Sequence, residues 1–565
     1  MNEKTRGLGR GLTNYGDRDF SAYLRRSFAR SMGYSRDMLS RPVVGIAYTP
    51  SGFNNCHRHF PELLEAVKRG VLSTGALPLE FPTISLGEVF LSPTSLHFRN
   101  LMAMDTEEMI RGQPMDAVVL MGGCDKTVPA QLMGAVSAAR PAIQLVGGPM
   151  MTGRHRGERL GACTDCRRFW AKYRAGGVDS DEIETIEGRL ATTEGTCAVM
   201  GTASTMAILI EVLGLMLPGT AAIPAVHADR LRAAEATGRA AVDLIGSGRT
   251  IDRIVTQASI DNAVRALLAV SGSTNAVVHL AAMAGRLGLR LDLDRLNRLS
   301  DETPVLVDLK PTGEGYMEDF FAAGGVGGLL QRMGAKFDLA AATVTGETLR
   351  DWVLPESAFI DPAVIRPVED AVSDMGGLVA LYGSLAPKGA ILKRAAADAR
   401  LFEKTARAVV FTSLDDLSAR IDDPDLDVGP DDALVLQNAG PKACGMPEAG
   451  YLPIPKKLAA AGVKDMLRLS DARMSGTAYG AIVLHIAPEA ADGGPLGLVR
   501  NGDRIRISVK ERRLDLLVED AVLAERRAAS PVAAPPPARG WAQLYHDRVL
   551  QADEGCDLDF LRAAR

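Results

Sequence analysis

The chain has 565 residues, of which 64 are Lys or Arg and 69 are Asp or Glu, so its net charge is -5. This length favours two to four domains, and a hydrophobic content of 47% supports large cores and excludes wholesale disorder. The near balance of charges argues against nucleic acid as the main partner, because phosphate neutralisation needs clustered positive charge. Seven cysteines, an odd number, fit no disulfide scaffold and favour a reducing, cytoplasmic compartment.

Residues 1–40 are polar and rich in Arg, and we predict that they form an arm. Beyond them, short continuous apolar runs alternate with segments of helical periodicity. The predicted strands cover residues 42–49, 76–81, 116–121 and 142–146, and the predicted helices cover 60–73, 95–111 and 129–139. This alternation is typical of a parallel sheet with helices on both faces. We therefore predict an α/β domain over residues 41–370, mainly helical between 223 and 346.

One segment, residues 198–217, is long and apolar enough to span a bilayer. It contains Glu211, several Ser and Thr residues and internal Gly, and it lacks the flanking aromatic or basic anchors of membrane helices. We interpret it as a buried core helix of a protein without a membrane span. The first twenty residues also lack the apolar stretch of a secretory signal.

After about residue 370 the pattern changes to short apolar runs separated by Gly, Pro and Asp. Such runs are typical of a β-rich domain, and we predict a barrel-like domain over residues 371–530. The runs lie at 378–382, 390–392, 408–411, 433–436, 482–486, 504–509 and 514–518. Residues 531–565 are predicted to form a linker, rich in Pro and Ala between 530 and 540, and a tail that packs on a neighbouring subunit.

Three widely separated cysteines, Cys56, Cys124 and Cys197, each lie in a segment suited to chemistry. Cys56 and Cys124 follow predicted strands, at the edge of a parallel sheet where ligands bind. Cys197 directly precedes the predicted helix at 198–217, whose dipole would favour a thiolate. Their spacing fits neither a zinc knuckle nor a redox pair. Three thiolates brought together by the fold could instead hold an iron–sulfur cluster with one free coordination position, which lets an iron act as a Lewis acid.

Acidic residues near these cysteines indicate a second, harder metal. Asp125 lies between Cys124 and Lys126, Glu88 follows the second predicted strand, and Glu448 lies in a Gly/Pro-rich loop of the C-terminal domain. Thiolate selects soft metals and carboxylate selects hard ones, so a Mg²⁺ site beside the cluster is the corresponding hypothesis. Taken singly, each glutamate is more commonly a solvated surface group, and a Gly-Gly-Cys turn is as often an ordinary tight loop.

Two further segments contain reactive residue types. Ser475, followed by Gly476, has the sequence of a turn, and it can act as a base only if a nearby cation lowers the pKa of its hydroxyl. Cys163 and Cys166 form a C-x-x-C pair without a second pair, which argues against zinc. We interpret this pair as a structural or substrate-loop element in preference to a redox pair.

Seven separated motifs resemble one known family. They are NNCHRHF, MGGCDKTVPAQLMGA, GTCAVMGTASTMA, SGSTNAVVHL, MEDFFAAGG, NAGPKACGMPE and SDARMSGTAYG. Over residues 41–518 the chain is similar to the dihydroxy-acid dehydratase and phosphogluconate dehydratase family of iron–sulfur enzymes. The segments LGE, NLMAMDTEEMIR and PEAADGGPLGLVRNGD resemble its sugar-acid branch of arabinonate, xylonate and gluconate dehydratases. The resemblance implies an N-terminal α/β domain, a C-terminal β-barrel domain and a homodimer or homotetramer.

The resemblance also implies roles for individual residues. The ligands of a 2Fe–2S cluster would be Cys56, Cys124 and Cys197, and the ligands of Mg²⁺ would be Glu88, Asp125 and Glu448. Lys126 matches the family lysine that is carbamylated and so becomes a further metal ligand. Ser475 matches the proposed base, and Thr477 in the same motif is expected to bind substrate. The loop of Cys163 and Cys166 departs from several sugar-acid relatives, which leaves the identity of the substrate open.

The implied reaction removes water from an aldonate, a 2,3-dihydroxy acid, and gives a 2-keto-3-deoxy acid. Mg²⁺ would hold the carboxylate and the C2 hydroxyl, Ser475 would take the C2 proton, and the open iron would bind the leaving C3 hydroxyl. Two alternatives remain. A branched-chain dihydroxy acid would need a less polar pocket. A non-enzymatic iron–sulfur electron carrier or sensor would need four protein ligands and no Mg²⁺ site.

Overall fold

Two main sheets organise the chain, a parallel sheet of four strands in the N-terminal half and a mixed sheet of eight strands in the C-terminal half. The structure, a computed structural model, describes residues 6–529 and 536–563. The strands are β1 (Val43–Tyr48), β2 (Leu77–Pro82), β3 (Ala117–Gly122), β4 (Ala142–Val146), β5 (Gly153–His155), β6 (Glu158–Leu160), β7 (Val379–Leu381), β8 (Gly389–Leu392), β9 (Glu403–Phe411), β10 (Ala433–Leu436), β11 (Leu467–Ser470), β12 (Ile482–Ala487), β13 (Arg504–Ser508) and β14 (Arg513–Leu516). The α-helices are α1 (Arg18–Ser31), α2 (Phe60–Ser73), α3 (Ser95–Gly112), α4 (Thr127–Ala138), α5 (Thr164–Arg174), α6 (Ser180–Leu190), α7 (Thr202–Val212), α8 (Ala228–Asp243), α9 (Ile251–Ile254), α10 (Gln257–Ala269), α11 (Asn275–Arg286), α12 (Leu293–Glu302), α13 (Met317–Ala322), α14 (Gly325–Met333), α15 (Leu414–Arg420), α16 (Pro441–Cys444), α17 (Lys456–Ala460), α18 (Asp520–Ala528) and α19 (Gly540–Arg548). The predicted fold class, α/β with a barrel-like C-terminal sheet, is confirmed.

The N-terminal sheet has the strand order β2-β1-β3-β4, and all its neighbouring strands run parallel. Strands β1, β3 and β4 consist mostly of apolar residues and are buried almost throughout, which requires cover on both faces. The cover comes from two helix pairs, α2 with α8 and α3 with α4. Because the strands are parallel, the segments that follow β1, β2 and β3 emerge at the same edge of the sheet.

Helix α7 is much shorter than predicted. It covers Thr202–Val212 and not residues 198–217. Residues 198–200 instead bond to distant backbone, as when the Ala198 N–H donates to the Ala162 carbonyl at 3.0 Å, and Gly214 ends the helix with a φ of +75°. Cys197 therefore lies five residues before the first residue of the helix and does not directly precede it, which corrects the predicted start. Its Cβ still lies 3.7 Å from the position of a Cβ on Gly201, the residue before the helix, so the effect of the dipole on its thiolate stays a prediction.

The interpretation of this segment as core is confirmed, because nearly every residue of α7 is buried. Among the described residues, no helix is both long and apolar enough to cross a membrane.

The C-terminal sheet has the order β14-β13-β9-β10-β11-β12-β8-β7 and is nearly closed. Strands β9 to β12 pair in parallel in that order, and the other neighbours pair antiparallel. The two edges meet where Tyr382, directly after β7, forms a bridge with Arg513 in β14. The Leu514 N–H donates to the Tyr382 carbonyl at 2.8 Å, which supports this closure.

Seven of the eight strands of this sheet were predicted, and β11 was not. Arg468 and Ser470 interrupt the apolar pattern of β11, although both side chains are buried. Arg468 is accommodated because its guanidinium pairs with Asp465 at 2.7 Å. A hydropathy pattern therefore does not predict this strand, because one of its buried residues is charged.

The C-terminal tail packs against the N-terminal half of its own chain. Arg99 in α3 donates to the carbonyls of Gly555 and Cys556 at 2.8 and 2.9 Å. Arg286 in α11 pairs with Asp557 at 2.8 Å, and both side chains are fully buried. The tail therefore packs on its own chain, and its contact with a neighbouring subunit stays a prediction. The predicted linker at 530–540 lies partly outside the described residues.

Candidate active site

Three acidic side chains from distant parts of the chain converge at the edge of the parallel sheet. Glu88 follows β2, Asp125 follows β3, and Glu448 lies in the loop after β10 of the other sheet. One carboxylate oxygen of each lies within 4.8 Å of those of the other two. Three carboxylates at this spacing have the ligand type that Mg²⁺ prefers. They are the three residues that the sequence suggested for Mg²⁺.

Arg473, in the loop after β11, holds this acidic cluster together. Its guanidinium donates to Glu448 Oε1 at 2.5 Å and to Glu88 Oε1 at 2.8 Å, and its Nε donates to the Met446 carbonyl at 2.8 Å. Burial alone would lower the pKa of Arg473, but the two carboxylates outweigh burial and raise it. The sequence around Arg473 indicates no such role, because nothing local shows that two distant glutamates flank it.

The members of the acidic cluster differ in their ionisation. Burial opposes the ionised form of Glu88, but Arg473 and Lys126 outweigh it and lower its pKa to about 2. At Glu448 burial dominates and raises the pKa to about 7 in spite of Arg473. Lys126 is fully buried, pairs with Asp125, and places its Nζ 3.6 Å from Glu88 Oε2. Lys126 therefore lies among the carboxylates and not in solvent.

The thiols of Cys56, Cys124 and Cys197 come together next to the acidic cluster. The neighbouring Cys56 thiol, together with burial, raises the pKa of the Cys124 thiol well above its ordinary value. The pKa of Cys197 is raised by a hydrogen bond with Cys163, by burial and by the other nearby thiols. Cys124 Sγ lies 3.6 Å from Asp125 Oδ1, so the thiols adjoin the carboxylates.

His57 ties the loop after β1 to the loop after β3. Its Nε2 accepts a hydrogen bond from the Gly123 N–H at 3.0 Å, and its Nδ1 donates to the Thr49 carbonyl at 2.6 Å. Burial lowers the pKa of His57 to about 4, so its ring is neutral at pH 7 and fits this pattern of donor and acceptor. His57 thereby positions Cys56 against Cys124.

The C-x-x-C segment joins the same group of thiols. Cys163 Sγ lies 3.6 Å from Cys197 Sγ, and the neighbouring thiols of Cys166 and Cys197 lower the pKa of the Cys163 thiol. The Thr164 hydroxyl donates to the Thr477 carbonyl at 3.1 Å, so this loop reaches the segment that contains Ser475. The spacing of the cysteines in the sequence gave no sign of this proximity.

Ser475 and Thr477 lie at the junction of the two halves. Ser475 Oγ and Thr477 Oγ1 are hydrogen-bonded at 2.8 Å. Between them, Gly476 has no room for a side chain, because a Cβ atom there would lie 2.6 Å from the Cβ of Ser273. Lys393, fully buried at the end of β8, donates to the Gly476 carbonyl at 3.3 Å, and burial lowers its pKa to about 7. The charged form of Lys393 is the kind of nearby cation that a serine base requires.

Buried polar atoms without a partner border the acidic cluster. Asn275 Nδ2 donates to Glu448 Oε1 at 3.4 Å. Within the described residues, Asn275 Oδ1 and the Thr274 hydroxyl have no hydrogen-bond partner. Buried polar groups are normally paired, so unpaired ones beside three carboxylates suit a site that takes a polar ligand. The sequence analysis assigned no role to either residue.

Known proteins are similar to this chain over nearly its whole length. The dihydroxy-acid/6-phosphogluconate dehydratase N-terminal family matches residues 41–352, and the corresponding C-terminal family matches residues 363–556. The L-arabonate dehydratase of Azospirillum brasilense is 46% identical over 98% of this chain and 96% of its own length. The 6-deoxy-6-sulfo-D-gluconate dehydratase of Pseudomonas putida is 43% identical over 96% of this chain and 94% of its own. The dihydroxy-acid dehydratase of Syntrophobacter fumaroxidans is 35% identical over 94% of this chain and 96% of its own.

Proposed function

Because the chain belongs to the dihydroxy-acid/6-phosphogluconate dehydratase family and is therefore a dehydratase, we propose that it converts an aldonate to a 2-keto-3-deoxy acid. The observation that carries this proposal is the convergence of three thiols and three carboxylates at one edge of the parallel sheet. The higher identity to relatives named for sugar acids than to one named for dihydroxy acids favours an aldonate over a branched-chain acid.

The charges of the acidic cluster support a Mg²⁺ ion and carbamylation of Lys126. With Lys126 unmodified and Glu448 ionised, three carboxylates face two buried cations, Lys126 and Arg473, which leaves one net negative charge. Carbamylation replaces the ammonium by a carbamate and lowers the charge by two units, which one Mg²⁺ ion restores. The ion would then be held by the carbamate together with Glu88, Asp125 and Glu448.

The three thiols suit a 2Fe–2S cluster. Cys56, Cys124 and Cys197 come from three separate loops, and all seven cysteines of the chain are free. Thiolates are the usual ligands of iron–sulfur clusters, and three of them leave one iron with a free position. An electron carrier or sensor would have no use for the adjacent carboxylates, so these count against that alternative.

When bound, the cluster supplies Lewis acidity at the leaving C3 hydroxyl, and Mg²⁺ supplies positive charge at the substrate carboxylate and C2 hydroxyl. Ser475 Oγ, as its alkoxide, takes the C2 proton. The Thr477 hydroxyl, 2.8 Å from Ser475 Oγ, orients that oxygen and contacts the substrate. Asn275 Oδ1 and the Thr274 hydroxyl hydrogen-bond to substrate hydroxyl groups, because both are buried and without a partner among the described residues.

A keto-acid assay on anaerobically prepared protein with Mg²⁺ tests the proposal. The substrates are L-arabinonate, D-xylonate, D-gluconate, D-galactonate and 2,3-dihydroxyisovalerate. We expect turnover of at least one sugar acid and little of the branched-chain acid, since a site with unpaired polar groups favours a polyol. Preference for 2,3-dihydroxyisovalerate would assign the chain to the branched-chain reaction. No turnover by protein with an intact cluster would contradict the catalytic assignment.

We also propose that the chain forms a homodimer or homotetramer in a reducing, cytoplasmic compartment. The free cysteines support the compartment. Helix α1 exposes Phe20, Tyr23 and Phe28, and exposed Phe53 and Val89 lie in the loops after β1 and β2. Large exposed apolar groups mark interaction surfaces. Light scattering after size exclusion measures the assembly, and a monomer at micromolar concentration would contradict it.

A further inference from the structure

Cys163 is a thiol beside the proposed cluster that the proposed mechanism does not use. Its Sγ lies 3.6 Å from Cys197 Sγ. Two sulfur ligands on one tetrahedral metal ion, each about 2.3 Å from it, lie about 3.8 Å apart. The Cys163–Cys197 separation is therefore close to that of two thiolates on one metal ion.

The backbone holds Cys163 and Cys197 side by side. The Ala198 N–H donates to the Ala162 carbonyl at 3.0 Å, so the residues that adjoin the two cysteines are bonded to each other. Asp165 fixes the loop from its other side, because it accepts from the Gly161 N–H at 2.8 Å and from the Tyr316 hydroxyl at 2.9 Å. The fold itself therefore sets the distance between these two thiols.

Cys56 and Cys124 form a second pair of thiols. The Cys56 thiol is near enough to raise the pKa of the Cys124 thiol, and His57 ties their loops together. Four thiols in two pairs match a 2Fe–2S cluster with four cysteine ligands, two on each iron. The chain thus offers one more thiolate than the proposed mechanism needs.

We propose that Cys163 is a fourth thiolate ligand of the cluster in the substrate-free protein, on the same iron as Cys197. This inference rests on the proposed function, because it takes the cluster from it. An entering sugar acid would take this iron position with its C3 hydroxyl oxygen as the bond from the iron to Cys163 Sγ breaks. The released thiolate would take up one proton from solvent, and no electron would be transferred. Until then, Cys163 closes the iron position that water or an oxidant would otherwise reach.

Mössbauer spectroscopy of substrate-free protein, reconstituted anaerobically with ⁵⁷Fe and sulfide, tests this inference without a variant. We expect both irons to have the spectrum of ligation by sulfur alone. Two distinct irons, one of them with an oxygen or nitrogen ligand, would overturn the fourth ligand and leave the proposed function intact. A wild-type chain that takes up no cluster would overturn both.

Two matched variants give a second test. Cys163→Ala removes the thiol next to Cys197, whereas Cys166→Ala removes the other thiol of the same loop. We expect Cys163→Ala to shift the spectrum of one iron and to lose its cluster in air roughly tenfold faster than wild type. Cys166→Ala should match wild type in both measurements. Equal behaviour of the two variants, whether both change or neither does, would overturn the proposal.

Discussion

At the scale of single residues, the acidic cluster depends on Arg473, which lies between Glu88 and Glu448. Replacement by Met would leave two buried carboxylates without their shared cation, and removing one partner of a buried ion pair costs about 3–5 kcal/mol. We expect Arg473→Met to lower the free energy of unfolding by about that amount. Mg²⁺ should restore part of the loss, because the proposed Mg²⁺ site contains the same carboxylates. Thermal unfolding with and without Mg²⁺ measures both effects.

Arg468→Met is the matched control for Arg473→Met. Arg468 is equally buried, but it pairs with Asp465 and makes no contact with the acidic cluster. The control should lose stability too, and Mg²⁺ should not restore it. If Mg²⁺ stabilises both variants equally, the ion does not bind at Glu88 and Glu448.

Ser475 is the residue on which the proposed proton transfer depends. We expect Ser475→Ala to lower kcat by at least about 10²-fold, since general base catalysis contributes effects of that size. The iron content and the response to Mg²⁺ should stay at wild-type values, which separates chemistry from folding. Turnover and iron content of the same preparation give the answer. Near-normal turnover with an intact cluster would remove Ser475 from the mechanism.

At the scale of elements, strand β8 places the titratable amine of Lys393 beside the loop that contains Ser475 and Gly476. Burial lowers the pKa of Lys393, which directly follows β8, to about 7, whereas a lysine in an unfolded chain titrates near 10. Between these values the unfolded chain binds more protons, so the stability of the folded protein rises with pH by up to about 1.4 kcal/mol per unit. We expect Lys393→Met to remove this rise between pH 7 and 9. Denaturant midpoints across that range measure it.

Lys388, which directly precedes the same strand and is exposed, provides the control. Solvent reaches the Lys388 amine in the folded and in the unfolded chain, so Lys388→Met should leave the pH dependence of stability unchanged. An equally steep rise in Lys393→Met and in wild type would mean that Lys393 is charged in the folded protein across this range.

At the scale of the whole molecule, the last residues of the chain stabilise its N-terminal half. Arg286 and Asp557 form a fully buried ion pair between α11 and the tail. We expect Arg286→Met to lower the free energy of unfolding by about 3–5 kcal/mol, because Asp557 is left buried and unpaired. The tail should also become sensitive to proteolysis. Thermal unfolding and limited proteolysis measure the two effects.

Two comparisons make this prediction sharper. The double variant Arg286→Met with Asp557→Leu should regain much of the stability, because no charge then stays buried. Arg548→Met, which breaks an exposed pair with Asp559, should cost less than about 1 kcal/mol. If Arg286→Met is as mild as Arg548→Met, the tail does not stabilise the N-terminal half.

Local patterns predicted the regular elements of both halves well. Helix α2 and strand β4 have the predicted bounds. Hydrophobic periodicity and short apolar runs show which residues within one element are buried, and this information is local. The predicted bounds of helix α7 were wrong, since residues 198–200 bond to distant backbone and the helix has only eleven residues. Strand β11 was not predicted, because it contains the charged Arg468, which is buried in an ion pair with Asp465. Both failures come from contacts that a hydropathy pattern does not contain.

The sequence by itself determined the fold class and named the thiols and carboxylates, because four of these six residues lie in motifs that follow predicted strands. Only the tertiary structure decided which of these residues meet. Glu448 reaches Glu88 and Asp125 through the junction of the two halves, and Arg473 pairs with both glutamates there. Cys163 approaches Cys197 through a loop with no local signal of that contact. Distances between segments far apart in the chain follow from packing, which is why the sequence could not supply them.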